Sequence, residues 1–171
     1  MTATSSYFKK MPLTTLTRVA SGQEDADLAI LNARIVNVYS GEILDNCSVG
    51  IKGEWIAWVG DAPKKVDEAH TRVIDARGKT VIPGLIDGHT HMAWLTNPAD
   101  FLETVMKGGT TTLITETMET FPIRGGDGVK DFLAALRNQP IKIFTTAPAM
   151  ASISGKTKGM PVEVLADLLN Q

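Results

Sequence analysis

The stretch Val81–Leu95, VIPGLIDGHTHMAWL, decides the fold class, because an apolar run there leads into two histidines and the sequence pattern then changes. Upstream, the runs DLAILNARIVNVYSGEIL and CSVGIKGEWIAWVG are rich in β-branched residues and are separated by glycine turns. Downstream, short apolar runs alternate with amphipathic segments of helical period. The sequence therefore predicts an antiparallel β unit followed by parallel strands with crossover helices.

Three strand–helix units are predicted after Val81. Asn97 and Pro98 form an N-cap and first-turn pair for one helix, GGDGVKDFLAALRNQP holds a second helix behind a glycine loop, and Pro161 opens a third. A closed barrel of such units needs eight strands and about 250 residues. Because the chain has 171 residues and an apolar helix runs to Gln171, we expect it to be the front part of a longer protein.

Composition narrows the class of protein. Hydrophobic residues make up 43% and charged residues 21% of the chain, which favours a globular protein. The formal net charge is −2 and no basic tract stands out, which argues against nucleic acid or an anionic membrane as partner. Cys47 is the single cysteine, so no internal disulfide can form. With no signal-peptide segment and no apolar run of membrane-spanning length, we expect a soluble, cytoplasmic protein.

His89 and His91 are the candidate metal ligands. Side chains two residues apart on a strand point to the same side, so Asp87, His89 and His91 would line one side if the strand continues through the motif. Two such imidazoles can bind one divalent cation and leave positions for other ligands and water. The alternative is a pair of hydrogen-bonded histidines in a loop, and His70, in a polar stretch, is expected to be solvated.

The motif PGLIDGHTH, followed by KGGTTTLI, resembles the amidohydrolase superfamily. Within it, ADLAILNARIVNVYSGEIL, VGIKGEWIAWVG, GGTTTLITETME and TAPAMASISGKTKG are similar to the adenine deaminases, and the likeness runs from Ala20 to Gln171. The resemblance implies the start of a metal-dependent (β/α)8 TIM-like barrel preceded by a small antiparallel β-sandwich domain. It divides the chain into an N-terminal arm or short helix (1–25), a β-sandwich portion (26–80) and three incomplete barrel units (81–171).

The resemblance implies that His89 and His91 bind a divalent metal ion, which would be zinc, manganese or iron. Whether the complete enzyme binds one metal ion or two is left open. The implied reaction is hydrolytic deamination of adenine or a related purine or cyclic amidine by metal-activated water. The other ligands of the superfamily come from later strands, so the rest of the barrel is an expected partner and these 171 residues alone are expected to be inactive. Self-association stays open.

The sequence departs from the adenine deaminase pattern at two places. Met92–Leu95 replaces an acidic residue and serines, and Glu116-Thr117-Met118-Glu119 replaces Asp-Pro-His-Glu. Glu116 and Glu119 keep the acidic positions after the second strand and are the candidate catalytic residues, with a solvated loop as the alternative. The changes raise the hypothesis of a larger, more apolar pocket lined by Trp94.

Two alternatives to adenine deamination remain. One is another cyclic amidohydrolase, of the dihydroorotase or imidazolonepropionase type. The other is a catalytically inactive, truncated relative that serves in assembly or binding.

Overall fold

The computed structural model describes residues 10–147 and 160–169, which form a mixed α/β structure with two compact units. The amino-terminal unit, described over residues 10–83, contains α1 (Leu13–Ala20), β1 (Leu28–Asn37), β2 (Glu42–Lys52), β3 (Trp55–Gly60), β4 (Arg72–Asp75) and β5 (Thr80–Val81). The parallel-sheet unit, described over residues 84–147 and 160–169, contains β6 (Leu85–Thr90), α2 (Met92–Leu95), α3 (Pro98–Lys107), β7 (Thr110–Thr115), α4 (Phe121–Ala135), β8 (Lys142–Thr145) and α5 (Val162–Leu169).

The sheet of the amino-terminal unit has the order β3-β2-β1-β4, with β5 also paired to β1. The antiparallel expectation holds for β1, β2 and β3 but is wrong for β4 and β5, which both run parallel to β1. The cause is the turn between them. Arg77 and Gly78 have positive φ and the Gly78 N–H donates to the Asn32 carbonyl at 2.8 Å, beside a bulge in β1. The turn thus carries β5 onward along β1 instead of folding it back on β4.

The hairpin of β2 and β3 is fixed by side chains at both ends. At the turn, the Asp27 carboxylate accepts hydrogen bonds from the Gly53 N–H at 2.8 Å and from the Lys52 ammonium at 2.9 Å. Farther along, the ring of Trp58 lies over Gly50, where a Cβ atom would stand 2.0 Å from the indole. The Trp58 Nε1–H donates to the Ser48 hydroxyl at 2.9 Å, so this tryptophan packs within the hairpin and has its polar atom paired.

In the parallel-sheet unit, the strand order is β6-β7-β8 and both neighbouring pairs are parallel. Helix α3 connects β6 to β7, and α4 connects β7 to β8. One apolar cluster joins the strands to the helices; its buried members are Met92, Leu102, Leu113, Leu136, Ile141 and Ile143. The strand–helix alternation predicted from the sequence is confirmed for these elements.

Local sequence signals account for the ends of α3 but not for those of α4. Asn97 caps α3, since its side-chain oxygen accepts from the Asp100 N–H at 3.1 Å, and Pro98 occupies the first turn, as predicted. The predicted glycine loop at residues 125–128 is wrong in its extent, because α4 begins at Phe121 and is interrupted only at Arg124 and Gly125, where φ and ψ are not helical. Gly125, with φ of 61°, instead marks a kink in that helix.

Strand β6 contains a bulge that changes the orientation expected for its residues. Asp87 pairs with Leu113 and Thr90 pairs with Thr115. Leu113 and Thr115 are two residues apart on β7, whereas their partners are three apart, so β6 has one extra residue between them. Simple alternation therefore does not relate Asp87 to His89.

Parts of the predicted organisation lie outside the described residues. These are residues 1–9 of the predicted arm and residues 148–159, which hold most of TAPAMASISGKTKG. Within the described ranges, every helix is too short or too polar to cross a lipid bilayer.

Candidate metal and carboxylate site

The candidate residues meet where the three parallel strands end. His89 lies in β6, His91 directly follows it, and Glu116 and Glu119 follow β7. Backbone hydrogen bonds hold these ends together, since the Glu116 N–H donates to the Thr90 carbonyl at 2.8 Å and the Thr146 N–H donates to the Thr115 carbonyl at 3.1 Å. The carboxyl edge of a parallel sheet is where ligand-binding residues collect in α/β proteins.

The two imidazoles converge on each other. The Nε2 atoms of His89 and His91 are 3.1 Å apart, and the rings meet edge to face with centroids 5.0 Å apart. The expected continuous strand is wrong at this point, because β6 ends at Thr90 and His91 is the residue before α2. The convergence therefore comes from the β6 bulge and the turn into α2, and not from strand alternation.

The spacing of these nitrogens fits a shared cation. Two nitrogens bound to one zinc ion at about 2.0–2.1 Å lie about 2.9–3.4 Å apart for ligand angles from about 90° to tetrahedral. The separation of 3.1 Å falls inside this interval and is also a hydrogen-bonding distance, so it agrees with the alternative of a hydrogen-bonded histidine pair as well. Among residues 10–147 and 160–169, no group of three or more His, Cys, Asp or Glu side chains has the arrangement of a full metal site. The described residues therefore bring together two candidate ligands, His89 and His91.

Glu119 contacts His91 on the side opposite the shared space. Its Oε1 lies 2.5 Å from Nδ1 of His91, while its side chain is only 5% exposed. The second carboxylate oxygen, Oε2, is buried and has no hydrogen-bond partner among the described residues. A buried carboxylate oxygen without a partner costs free energy, so this placement needs a compensating role.

Glu116 is held by the neighbouring strand. Its Oε2 accepts a hydrogen bond from the Thr146 hydroxyl at 2.6 Å, and the Thr117 hydroxyl donates to the Thr146 carbonyl at 2.7 Å. Oε1 of Glu116 lies 3.8 Å from Nδ1 of His89, which is an ion-pair distance and too long for a hydrogen bond. Sequence reasoning missed Thr146, although its position after the third predicted strand marks the same edge.

Of the two residues expected beside the histidines, Asp87 does not contact the imidazole nitrogens and Trp94 does contact an imidazole ring. Asp87 does not join the imidazole nitrogens, since its Oδ1 accepts from the backbone N–H of His89 at 3.2 Å. Trp94 does lie at the site: its indole stacks on the His91 ring with centroids 4.7 Å apart and an interplanar angle of 12°. His70 lies in the amino-terminal unit, where it is exposed and paired with Asp67.

Comparison with known proteins finds a family model and several proteins to which parts of this chain are similar. Residues 72–142 match the amidohydrolase family. The adenine deaminase of Listeria welshimeri is 36% identical over 132 residues, which cover 77% of this chain and 22% of that protein. The adenine deaminase of Ruegeria pomeroyi is 38% identical over 137 residues, which cover 80% of this chain and 23% of that protein. The chain thus spans less than a quarter of the length of these relatives.

Solved structures share the fold. A mutant of atrazine chlorohydrolase from Arthrobacter aurescens TC1, complexed with zinc and atraton, has a TM-score of 0.56 at 19% identity, over 82% of this chain and 41% of that one. A Xaa-Pro dipeptidase with bound methionine has a TM-score of 0.54 at 17% identity, over 77% of this chain and 37% of that one. From the family match and the curated relatives, we conclude that residues 72–142 have the sequence pattern of the amidohydrolase family and that the chain is similar to proteins named adenine deaminase.

Proposed function

We propose that this chain is part of a metal-dependent hydrolase that deaminates adenine or a related purine or cyclic amidine. The observation that carries the proposal is the 3.1 Å separation of the Nε2 atoms of His89 and His91 at the carboxyl edge of a parallel sheet. The family match and the adenine deaminase relatives support the reaction class. In this proposal, residues 81–171 form the first three units of a barrel, residues 26–80 form part of a β-sandwich and residues 1–25 form an arm or short helix.

The proposed cofactor is a divalent metal ion, and His89 and His91 are its proposed ligands. The donor types suit it, because neutral imidazole nitrogens bind zinc, manganese and iron ions. A bound ion of this kind lowers the pKa of a coordinated water and makes hydroxide available near neutral pH. The zinc reported with the atrazine chlorohydrolase mutant agrees with a divalent ion but does not identify the one used here.

The proposed reaction adds the oxygen of water to the ring carbon that bears the amino group and breaks the bond from that carbon to nitrogen. Ammonia leaves, and the ring carbon becomes a carbonyl. Glu116 is the better placed of the two carboxylates to accept and return the proton, since its side chain is 19% exposed whereas that of Glu119 is 5% exposed. The half-exposed Trp94 beside His91 favours a flat heterocyclic substrate, which its apolar face can contact.

Metal analysis tests the proposal. The purified chain, equilibrated with zinc and dialysed, should retain the ion, and the double variant His89→Ala/His91→Ala should lose it. His70→Ala is the matched control, because it removes the remaining histidine of the chain and should leave zinc content unchanged. Equal zinc content in the double variant and the unmodified chain would overturn the proposal.

A second measurement separates a complete enzyme from an incomplete one. We propose that the chain alone does not turn over adenine, since it spans less than a quarter of its adenine deaminase relatives and no group of three or more candidate ligands occurs among the described residues. Ammonia release from adenine should therefore equal that of the His89→Ala/His91→Ala variant. Release above that level would show that no further ligands are needed.

A further inference from the structure

The ring of His91 is held by Glu119 at one edge and by Trp94 on one face, whereas the ring of His89 is held by its contact with His91. Glu119 contacts the Nδ1 edge of His91 at 2.5 Å, and Trp94 stacks on its face. The His91 side chain is accordingly 28% exposed. The His89 side chain is 64% exposed, and the nearest carboxylate oxygen, on Glu116, stays 3.8 Å from its Nδ1.

The contact with Glu119 also selects the tautomer of His91. A carboxylate accepts hydrogen bonds and cannot donate them, so Nδ1 of the imidazole carries the proton. In a neutral imidazole, the other nitrogen then has the lone pair. That nitrogen is Nε2, the atom that faces Nε2 of His89 at 3.1 Å.

We propose that Glu119 is a positioning residue that acts through His91, a role that rests on the proposed metal site. Its carboxylate fixes the orientation and the tautomer of the ring and so directs the Nε2 lone pair into the space shared with His89. The burial of Glu119 fits this role, because a carboxylate at 5% exposure has little access to water or substrate. Carboxylates that orient a ligating histidine in this manner strengthen metal binding in other proteins.

The tautomer can be measured without any metal. In long-range proton–nitrogen spectra of the ¹⁵N-labelled chain, His91 should show a protonated Nδ1 and an unprotonated Nε2. The Glu119→Ala variant should lose this preference, and Glu119→Gln should keep it, because the amide oxygen can still accept from Nδ1–H. An unchanged tautomer in Glu119→Ala would overturn the proposal.

Cobalt binding, measured by titration calorimetry, gives an independent readout. Glu119→Ala should weaken cobalt affinity about 10–100-fold, the cost found for losing such outer partners. Glu119→Gln should restore most of the affinity, and Glu116→Gln should weaken it less than Glu119→Ala. If Glu119→Gln loses as much affinity as Glu119→Ala, the carboxylate binds the ion itself and the positioning role is wrong.

The two measurements separate this inference from the proposed function. If the unmodified chain fails to bind cobalt, the proposed metal site is wrong, and the tautomer spectra alone decide the role of Glu119. Circular dichroism of each variant checks folding. Should Glu119→Ala unfold, the comparison of Glu119→Gln with the unmodified chain still decides, because the inference requires that this variant keep both the tautomer and the affinity.

Discussion

Trp94 stacks on His91, a proposed metal ligand, so its fluorescence should change when a metal ion binds at the site. Paramagnetic ions quench nearby indoles, and the Trp94 ring lies 4.7 Å from that of His91. Addition of cobalt should therefore lower the tryptophan emission of the chain. The quenching should vanish in Trp94→Phe, while Trp58→Phe, altered in the amino-terminal unit, should still be quenched. Equal quenching in Trp94→Phe would contradict the prediction.

At the turn of β2 and β3, Asp27 should make stability depend on pH. Hydrogen bonds from the Gly53 N–H and from Lys52 hold the pKa of its carboxyl below the usual value. A carboxyl with a lowered folded pKa adds stability above its unfolded pKa of about 3.9, and this stability is lost as the pH falls through the folded pKa. Because Asp27 is more than half exposed, Asp27→Asn should lower the free energy of unfolding by at most about 1 kcal/mol at pH 7.

Urea unfolding of the chain and of Asp27→Asn at several pH values checks this prediction. The difference between the two proteins should shrink below about pH 4 as the aspartate becomes protonated. An equal difference at neutral and acidic pH would show that the carboxylate charge is not the cause.

Among the elements, β6 has a matched pair of glycines, Gly84 directly before the strand and Gly88 within it. A Cβ atom on Gly84 would stand 2.1 Å from the Thr111 hydroxyl on the neighbouring strand, whereas one on Gly88 meets nothing within 4 Å. Gly84→Ala should therefore force β6 away from β7 and lower the free energy of unfolding by about 1–3 kcal/mol. Gly88→Ala should change it little. Thermal unfolding of both variants is the measurement, and equal effects would contradict the close approach of the two strands.

The sequence predicted those elements whose signals are local. Asn97 and Pro98 mark the start of α3 with side-chain and ring chemistry that act within one turn, and the structure has the helix there. The direction of β4 and β5 was not predicted, because it depends on pairing with β1, a strand about 40 residues earlier in the chain. Propensity and periodicity describe only neighbouring residues and do not indicate such pairing. The helical segment before Gly125 was missed for another reason, because it has no apolar period of its own.

For the candidate site too, the features carried by neighbouring residues were predicted, and those that depend on strand pairing were not. The spacing of His89 and His91 was visible in the sequence, and their convergence is present in the structure. Its cause was not visible, because a bulge and a helix start take the place of the expected strand. The hydrogen bond from Thr146 to Glu116 joins residues 30 positions apart and depends on the register of β7 and β8.

For the molecule as a whole, one face of the parallel sheet stands out. Ile86 pairs with Thr112 and Phe144 pairs with Ile114, so these residues lie on the face opposite Leu113. Leu113 is fully buried against the helices, whereas Ile86 is 69% and Phe144 is 41% exposed. Parallel sheets are normally covered on both faces. The apolar surface here is therefore large for this kind of sheet.

This face should bind the hydrophobic dye ANS. Ile86→Thr should lower ANS fluorescence with little loss of stability, because the side chain is already mostly in water and threonine keeps β-branching. Leu113→Thr is the control on the opposite face and should destabilise the chain strongly, since it puts a hydroxyl in the core. ANS fluorescence that is unchanged in Ile86→Thr would show that the dye binds elsewhere.

Because β6 contains a bulge, the placement of the His89 side chain depends on how many residues precede it in the strand more than on which residues they are. Removing Gly88 would keep every chemical group of the proposed centre, yet it would leave one residue opposite Ile114 between Asp87 and Thr90 and so remove the bulge on which the approach of the two imidazoles depends. A relative with a gap at position 88 should therefore bind metal more weakly even where both histidines are kept. In β6, the number of residues between Asp87 and Thr90 therefore matters for the proposed site as much as which residues they are.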